Sequence, residues 1–120
     1  FRMFPDLATK KRIDSLWLQV CWLYKHPEKC HGGNHWIENL TAIAFGGLFF
    51  ESGFSKNLLN YSLKELKIEL KKQILSDGGH EERSVSYHFL ILDRLLELIC
   101  LLEIKKGNYP KYKFSVQSER

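Results

Sequence analysis

Apolar residues recur at helical spacing along most of this chain. Between Ala8 and about Lys25, Ile13, Leu16, Trp17, Val20 and Tyr24 follow one another at three- and four-residue intervals, which marks one helix face. Pro27 closes that helix, because the residue before a proline is pushed out of the α region. A second helix is predicted from Asn34 or His35 to about Ser52. Trp36, Leu40, Ile43, Ala44, Gly47 and Leu48 line one face, and Phe45, Phe49 and Phe50 add apolar surface elsewhere. So apolar a helix is expected to be covered on most sides. Gly46 and Gly47 each cost up to about 1 kcal/mol of helix propensity relative to Ala, and mid-helix glycines usually admit a close neighbour. Gly53 reads as the stop.

Ser55 reads as the N-cap of a third helix reaching about Leu75, with Leu59, Leu63, Leu66, Leu70 and Ile74 as its stripe. Lys64, Lys67, Lys71 and Lys72 alternate with Glu65 and Glu69 on the other side, a solvated face. Asp77-Gly78-Gly79 is a strong stop. Ser84 reads as the N-cap of a fourth helix carrying Leu90, Ile91, Leu95, Leu98, Ile99 and Leu102 to about Lys105. No segment has a clean period of two, so the class is all-α. Residues 1–106 form the helical domain, and the polar stretch 107–120 reads as a linker or truncated segment.

Short connections make consecutive helices antiparallel neighbours. The N-termini of the second and fourth helices then lie at one end of the layer, with Asn34 and His35 at one mouth and Arg83, Tyr87 and His88 at the other. Helix N-termini present unpaired N–H groups and about half a positive charge each. Two such mouths beside an Arg and several His residues make a candidate anion site.

Composition narrows this picture only modestly. The chain has 120 residues, 44% of them hydrophobic, enough for one small globular domain, and its net charge of +4 favours an acidic partner without naming it. Cys21, Cys30 and Cys100 are odd in number and widely spaced, so no disulfide framework follows. His26, Cys30, His31 and His35 suit zinc as ligand types, but their spacing fits no standard finger, and no metal or cofactor is expected. The start, FRMFPDLATKKR, has no signal-peptide core, and the apolar runs are too short or too interrupted to span a bilayer. Lacking an initiator Met, the chain is expected to be a piece of a longer protein.

If the anion is a uronate carboxylate, the site suits β-elimination. Cleaving a 4-linked uronate requires neutralising the carboxylate, removing the C5 proton and protonating the departing O4. An Asn amide can donate to the carboxylate and favour an enolate-like intermediate. Tyr can act as acid or, deprotonated beside cations such as Arg83, as base, and His is the usual partner base.

The stretch GGNHWIENLTAIAFGGLFF (Gly32 to Phe50), followed by ILSDGGHEERSVSYH (Ile74 to His88), resembles the heparinase II/III family of polysaccharide lyases. The resemblance runs from about Ile13 to Leu102, and the combination of motifs is far more specific than any one of them. It implies antiparallel helical hairpins forming part of an incomplete α/α-toroid, normally followed by a β-sandwich that this chain lacks. The activity implied is that of a carbon-oxygen lyase on an acidic, uronate-containing polysaccharide such as a glycosaminoglycan or alginate, with the isolated fragment inactive. Family habit places such proteins in the periplasm or outside the cell.

By the same resemblance Asn34 matches the carboxylate-neutralising Asn, with His35 beside it, and Tyr87 matches the catalytic Tyr. Arg83, His88 and His80 lie in the motif as candidate substrate-binding residues. A further catalytic His of the family has no counterpart in this chain. Glu81 departs from the pattern, standing where relatives usually have an aromatic; it either shifts substrate preference or points to solvent.

Plainer roles stand beside these. Asn34 after two glycines is a good N-cap, a role compatible with donation from its NH2 group. Tyr87 suits the edge of a core, and His35 and His88 taken singly suit structural or surface positions. Glu38 and Asn39 suit holding the site or the packing together. A uronyl C5-epimerase abstracts the same proton and is the alternative within this chemistry. A basic helical nucleic-acid-binding module would concentrate Lys and Arg along one helix. Here lysines alternate with glutamates and the Gly-Asn-His mouth has no task, so neither a nucleic-acid nor a membrane partner is expected. A scaffold with a decayed site is the third reading.

Overall fold

The computed structural model describes residues 5–106; the linker expected at 107–120 lies outside them. Four helices follow in order: α1 (Lys10–Lys25), α2 (Gly33–Phe49), α3 (Gly53–Gln73) and α4 (Val85–Lys106). Single 3-10 turns occupy Pro5–Leu7 and Lys29–His31. No strand is present among the described residues; one isolated antiparallel bridge joins Ile74 to His80. The all-α class is therefore observed.

Helix α2 is the hub, packed most extensively against α3, then α4, then α1. Trp36, Ile37, Leu40 and Ala44 of α2 form one cluster with Leu66 of α3 and Ile91 and Leu98 of α4. Ile43 joins Val20 of α1 and Leu58 of α3 in a second. An aromatic seam ties α1 to α3, with Tyr24 edge-on to both Phe54 and Tyr61. Ile13 and Val20 of α1 are buried, on the face that the sequence marks.

The paired glycines of α2 serve two different neighbours. A Cβ at Gly46 would stand 2.6 Å from Val20 Cγ1, so this position admits α1. One at Gly47 would stand 2.8 Å from both the Leu59 amide nitrogen and the Ser55 carbonyl oxygen, so this one admits α3. Backbone cannot yield as a side-chain tip can. Gly47→Ala is expected to destabilise the fold by about 1–2 kcal/mol, an overpacking cost only partly offset by better helix propensity. Urea unfolding measures this directly, and unchanged stability would mean that the helices separate at little cost.

Several details differ from the sequence reading. α2 ends at Phe49 rather than Ser52, and Gly53 is the first residue of α3 rather than a stop. The N-cap of α3 is Ser52, not Ser55: the Ser52 hydroxyl accepts from the Ser55 N–H at 2.9 Å, and the Ser55 hydroxyl accepts from the Ser52 N–H at 2.8 Å. That reciprocal pair is a capping box with Ser in the place of the usual Glu or Gln. Finally, Ile99, one of the apolar residues named for the fourth helix, is 55% exposed. It belongs to an outer α4 stripe with Val85, Phe89, Leu92 and Leu96, all exposed.

Candidate functional site

The mouth of α2 is built from two glycines in the left-handed region, Gly32 at φ 59° and Gly33 at φ 55°. Gly32 takes the N-cap position, so Asn34 lies inside the first turn and its side chain is not the cap. Asn34 is only 7% exposed, and among the described residues its side chain makes no hydrogen bond to protein. Its backbone N–H donates to Glu82 Oε1 at 3.1 Å. The segment leading into α4 thus touches the first turn of α2, as the antiparallel order requires.

That contact changes the anion-site expectation. The positive end of the α2 dipole already faces a carboxylate of the chain itself. Glu82 answers an orphan N–H that Gly32, without a side chain, cannot cap. A Cβ at Gly33 would stand 2.5 Å from Glu82 Oε1, so glycine is what lets the carboxylate in. The Asn34 side-chain amide is one donor at this mouth without a partner among the described residues.

Behind the mouth runs a buried chain of polar side chains. Gln73 Nε2 donates to the Gly33 carbonyl at 2.9 Å and to Glu69 Oε2 at 3.2 Å. With both donors directed there, Gln73 Oε1 is the acceptor for His80 Nε2–H at 2.9 Å. His80 Nδ1 then accepts from the Glu82 N–H at 3.3 Å. This fixes the ring as the Nε2–H tautomer. His80 is 2% exposed with both nitrogens engaged, so here it anchors the loop that carries Glu82.

Glu69 closes the chain on the α3 side. Burial pushes its carboxyl up, but hydrogen bonds from Lys72 and Gln73 outweigh burial, and the result lies below the ordinary value of 4.5. A carboxyl lowered by folding contributes stability that is complete above its unfolded pKa and disappears as pH falls through the folded one. The wild type is therefore expected to lose stability as pH drops below about 4.5. Glu69→Gln should lose less over that window, as chemical unfolding at successive pH values would reveal; parallel curves would assign the acid sensitivity elsewhere.

The remaining candidates divide into two groups. His80, Arg83 and His88 line one cleft of about 720 Å3 between the α3–α4 loop and the start of α4. Arg83 adopts φ 50°, an uncommon conformation for a residue with a Cβ, and its N–H donates to the His80 carbonyl at 2.9 Å. Asn34, His35 and Tyr87 are not among the residues lining that cleft. Tyr87 is 43% exposed in the first turn of α4, and its hydroxyl has no hydrogen bond among the described residues. Ser84 supports this turn: its carbonyl accepts from the His88 N–H at 2.9 Å. His35 is exposed, with Nδ1 3.7 Å from Glu28 Oε2.

Asn39 is a brace, donating to the His35 carbonyl at 2.8 Å and accepting from the Glu28 N–H at 3.4 Å. Glu38 pairs with Arg94 of α4 at 3.4 Å. Glu81 is exposed and contributes its backbone, donating to the Gln73 carbonyl at 2.8 Å. The histidines weighed for zinc have other contacts: His26 Nδ1–H donates to the Trp22 carbonyl at 2.9 Å, and His31 Nδ1 lies 3.2 Å from Cys30 Sγ. Among the described residues, no three His, Cys, Asp or Glu side chains are grouped to hold a metal ion. No described helix is long and apolar enough to cross a membrane.

Glu82 and Gln73 escape a reading by sequence. Gln73 stands four residues after Glu69 on the helix face that turns inward, a spacing visible beforehand, but nothing local announces that a Gln there is buried. Glu82 shows its role only once the loop is placed over Asn34.

Residues 16–114 match the family model for the heparinase II/III N-terminus. The chain belongs to the heparinase II/III family. It is similar to a heparin-sulfate lyase of Bacteroides thetaiotaomicron, 34% identical over 86 residues, which cover 71% of this chain and 12% of that protein. No solved structure matches the chain.

Proposed function

We propose that the chain is part of a polysaccharide lyase that cleaves an acidic, uronate-containing glycan by β-elimination, and that its helices are one portion of an incomplete α/α-toroid. The observation that carries this reading is Asn34, a buried residue whose side-chain amide has no hydrogen-bond partner among the described residues, at a helix mouth joined through Glu82 to the segment that leads to Tyr87. Kinship with a heparin-sulfate lyase supports a glycosaminoglycan as substrate.

In this mechanism the Asn34 NH2 group donates to the uronate carboxylate, and the bond strengthens as negative charge builds when C5 loses its proton. The Tyr87 hydroxyl gives a proton to the departing O4. The C5 proton passes to a base as the C4–O4 bond breaks, either His35 beside Asn34 or the further His that the full-length protein would supply. Arg83 and His88, together in the cleft beside the α4 mouth, contact further anionic groups of the glycan. A C5-epimerase would begin with the same proton abstraction but leave the glycosidic bond intact.

The test is direct. The full-length protein, incubated with heparan sulfate, chondroitin, alginate and bacterial exopolysaccharides, should raise the ultraviolet absorbance of unsaturated uronate on at least one. Exchange of the C5 hydrogen with solvent deuterium without that absorbance would favour the epimerase. Neither signal on any uronate glycan would refute the reading.

A further inference from the structure

We infer that Glu82 is a positioning residue: with His80 behind it, it holds the two helix mouths in register and so fixes Asn34 relative to Tyr87. The activity readout of this inference rests on the lyase reading above; the structural readout does not.

The geometry comes from four linked contacts. Glu82 Oε1 accepts from the Asn34 N–H at 3.1 Å, so the carboxylate holds the backbone of the very residue that carries the amide. The Glu82 N–H donates to His80 Nδ1 at 3.3 Å, and His80 Nε2 donates to Gln73 Oε1 at 2.9 Å. Gln73 in turn donates to the Gly33 carbonyl at 2.9 Å, one residue before Asn34. The first turn of α2 is thereby gripped on both sides of one peptide link, at the Gly33 carbonyl by α3 and at the Asn34 N–H by the loop before α4. Tyr87 lies five residues beyond Glu82, on the helix that this loop begins.

No other contact among the described residues reaches Asn34 from that loop by hydrogen bond. Without the carboxylate, the loop would still be anchored by His80 and α4 would still pack on α2 through Ile91 and Leu98, but the first turn of α2 would lose its hydrogen bond to the segment leading into α4. A displacement of about 1 Å between reacting groups can cost on the order of 100-fold in rate.

Three variants of the full-length protein test this, assayed on the glycan that gives the strongest lyase signal. Glu82→Ala should lower kcat by roughly 10- to 100-fold with KM nearly unchanged. Glu82→Gln, whose amide oxygen can accept the same bond, should recover most of that loss. Asn34→Ala serves as the control for the lyase reading itself. In parallel, hydrogen exchange at the Asn34 amide should be slow in the wild type, faster by at least about 10-fold in Glu82→Ala and slow again in Glu82→Gln.

Wild-type kcat in Glu82→Ala, beside an inactive Asn34→Ala, would overturn the positioning role and leave the lyase reading intact. A raised KM with unchanged kcat would make Glu82 a substrate contact instead, which also overturns it. Full activity in Asn34→Ala would sink the lyase reading, and amide exchange would then decide: no acceleration in Glu82→Ala ends the inference.

Discussion

Replacing Asn34 with Ala is expected to lower kcat of the full-length protein on its glycan by about 100- to 1,000-fold, the usual effect of removing one donor from developing negative charge. Folding should suffer little. The Asn34 side chain makes no hydrogen bond to protein among the described residues, so truncation strands no buried partner, and the link to Glu82 runs through the backbone that Ala retains. A loss of activity with a preserved melting curve therefore identifies a substrate-facing amide. Asn34→Asp should be at least as damaging, because it sets a carboxylate against the carboxylate of the substrate.

Tyr87→Phe is expected to cost about 100- to 10,000-fold in kcat, the range for a positioned proton donor. The substitution removes one oxygen. That oxygen has no hydrogen bond among the described residues, and Tyr87 is 43% exposed, so stability should be unchanged. Single-turnover absorbance on saturating substrate would separate the chemical step from binding. A normal chemical rate in Tyr87→Phe would remove Tyr87 from the mechanism, and with it the claim that α4 contributes to the reaction.

How much of this was legible in the chain depended on whether burial followed hydrophobicity. In α2 it did, and Trp36, Leu40, Ile43 and Ala44 are each at most 1% exposed. Ile37 is wholly buried too although the marked face omits it, and the exceptions to the rule there are the polar Asn34, Asn39 and Thr41, also buried. In α3 burial did not follow hydrophobicity. The leucine stripe is only partly buried at Leu59, Leu63 and Leu70, whereas Ser55, Ser62, Glu69 and Gln73 join Leu58 and Leu66 inside. Polar groups tolerate burial when bonded, and these are: Ser62, for instance, donates to the Leu59 carbonyl at 3.0 Å. Apolar periodicity cannot register such a face.

The site was legible as a neighbourhood rather than as contacts. Antiparallel order correctly brought the Gly-Asn-His mouth to the DGGHEERS loop. It could not show that Glu82 would reach the α2 N-terminus, because a carboxylate beside an arginine in sequence reads equally well as solvated. Nor could it show that Gly32 rather than Asn34 takes the cap, an outcome set by positive φ at two successive glycines. His80 and Arg83 look alike as motif residues, yet one is sealed behind the loop and the other is exposed.

The central claim is that the mouths of α2 and α4 form one site. A double-mutant cycle on kcat/KM, with Asn34→Ala, Tyr87→Phe and the combined variant, tests it most directly. Residues acting on one transition state are strongly non-additive, so the combined variant should be little worse than the poorer single one. Losses that multiply in full would show two independent contributions and contradict the account.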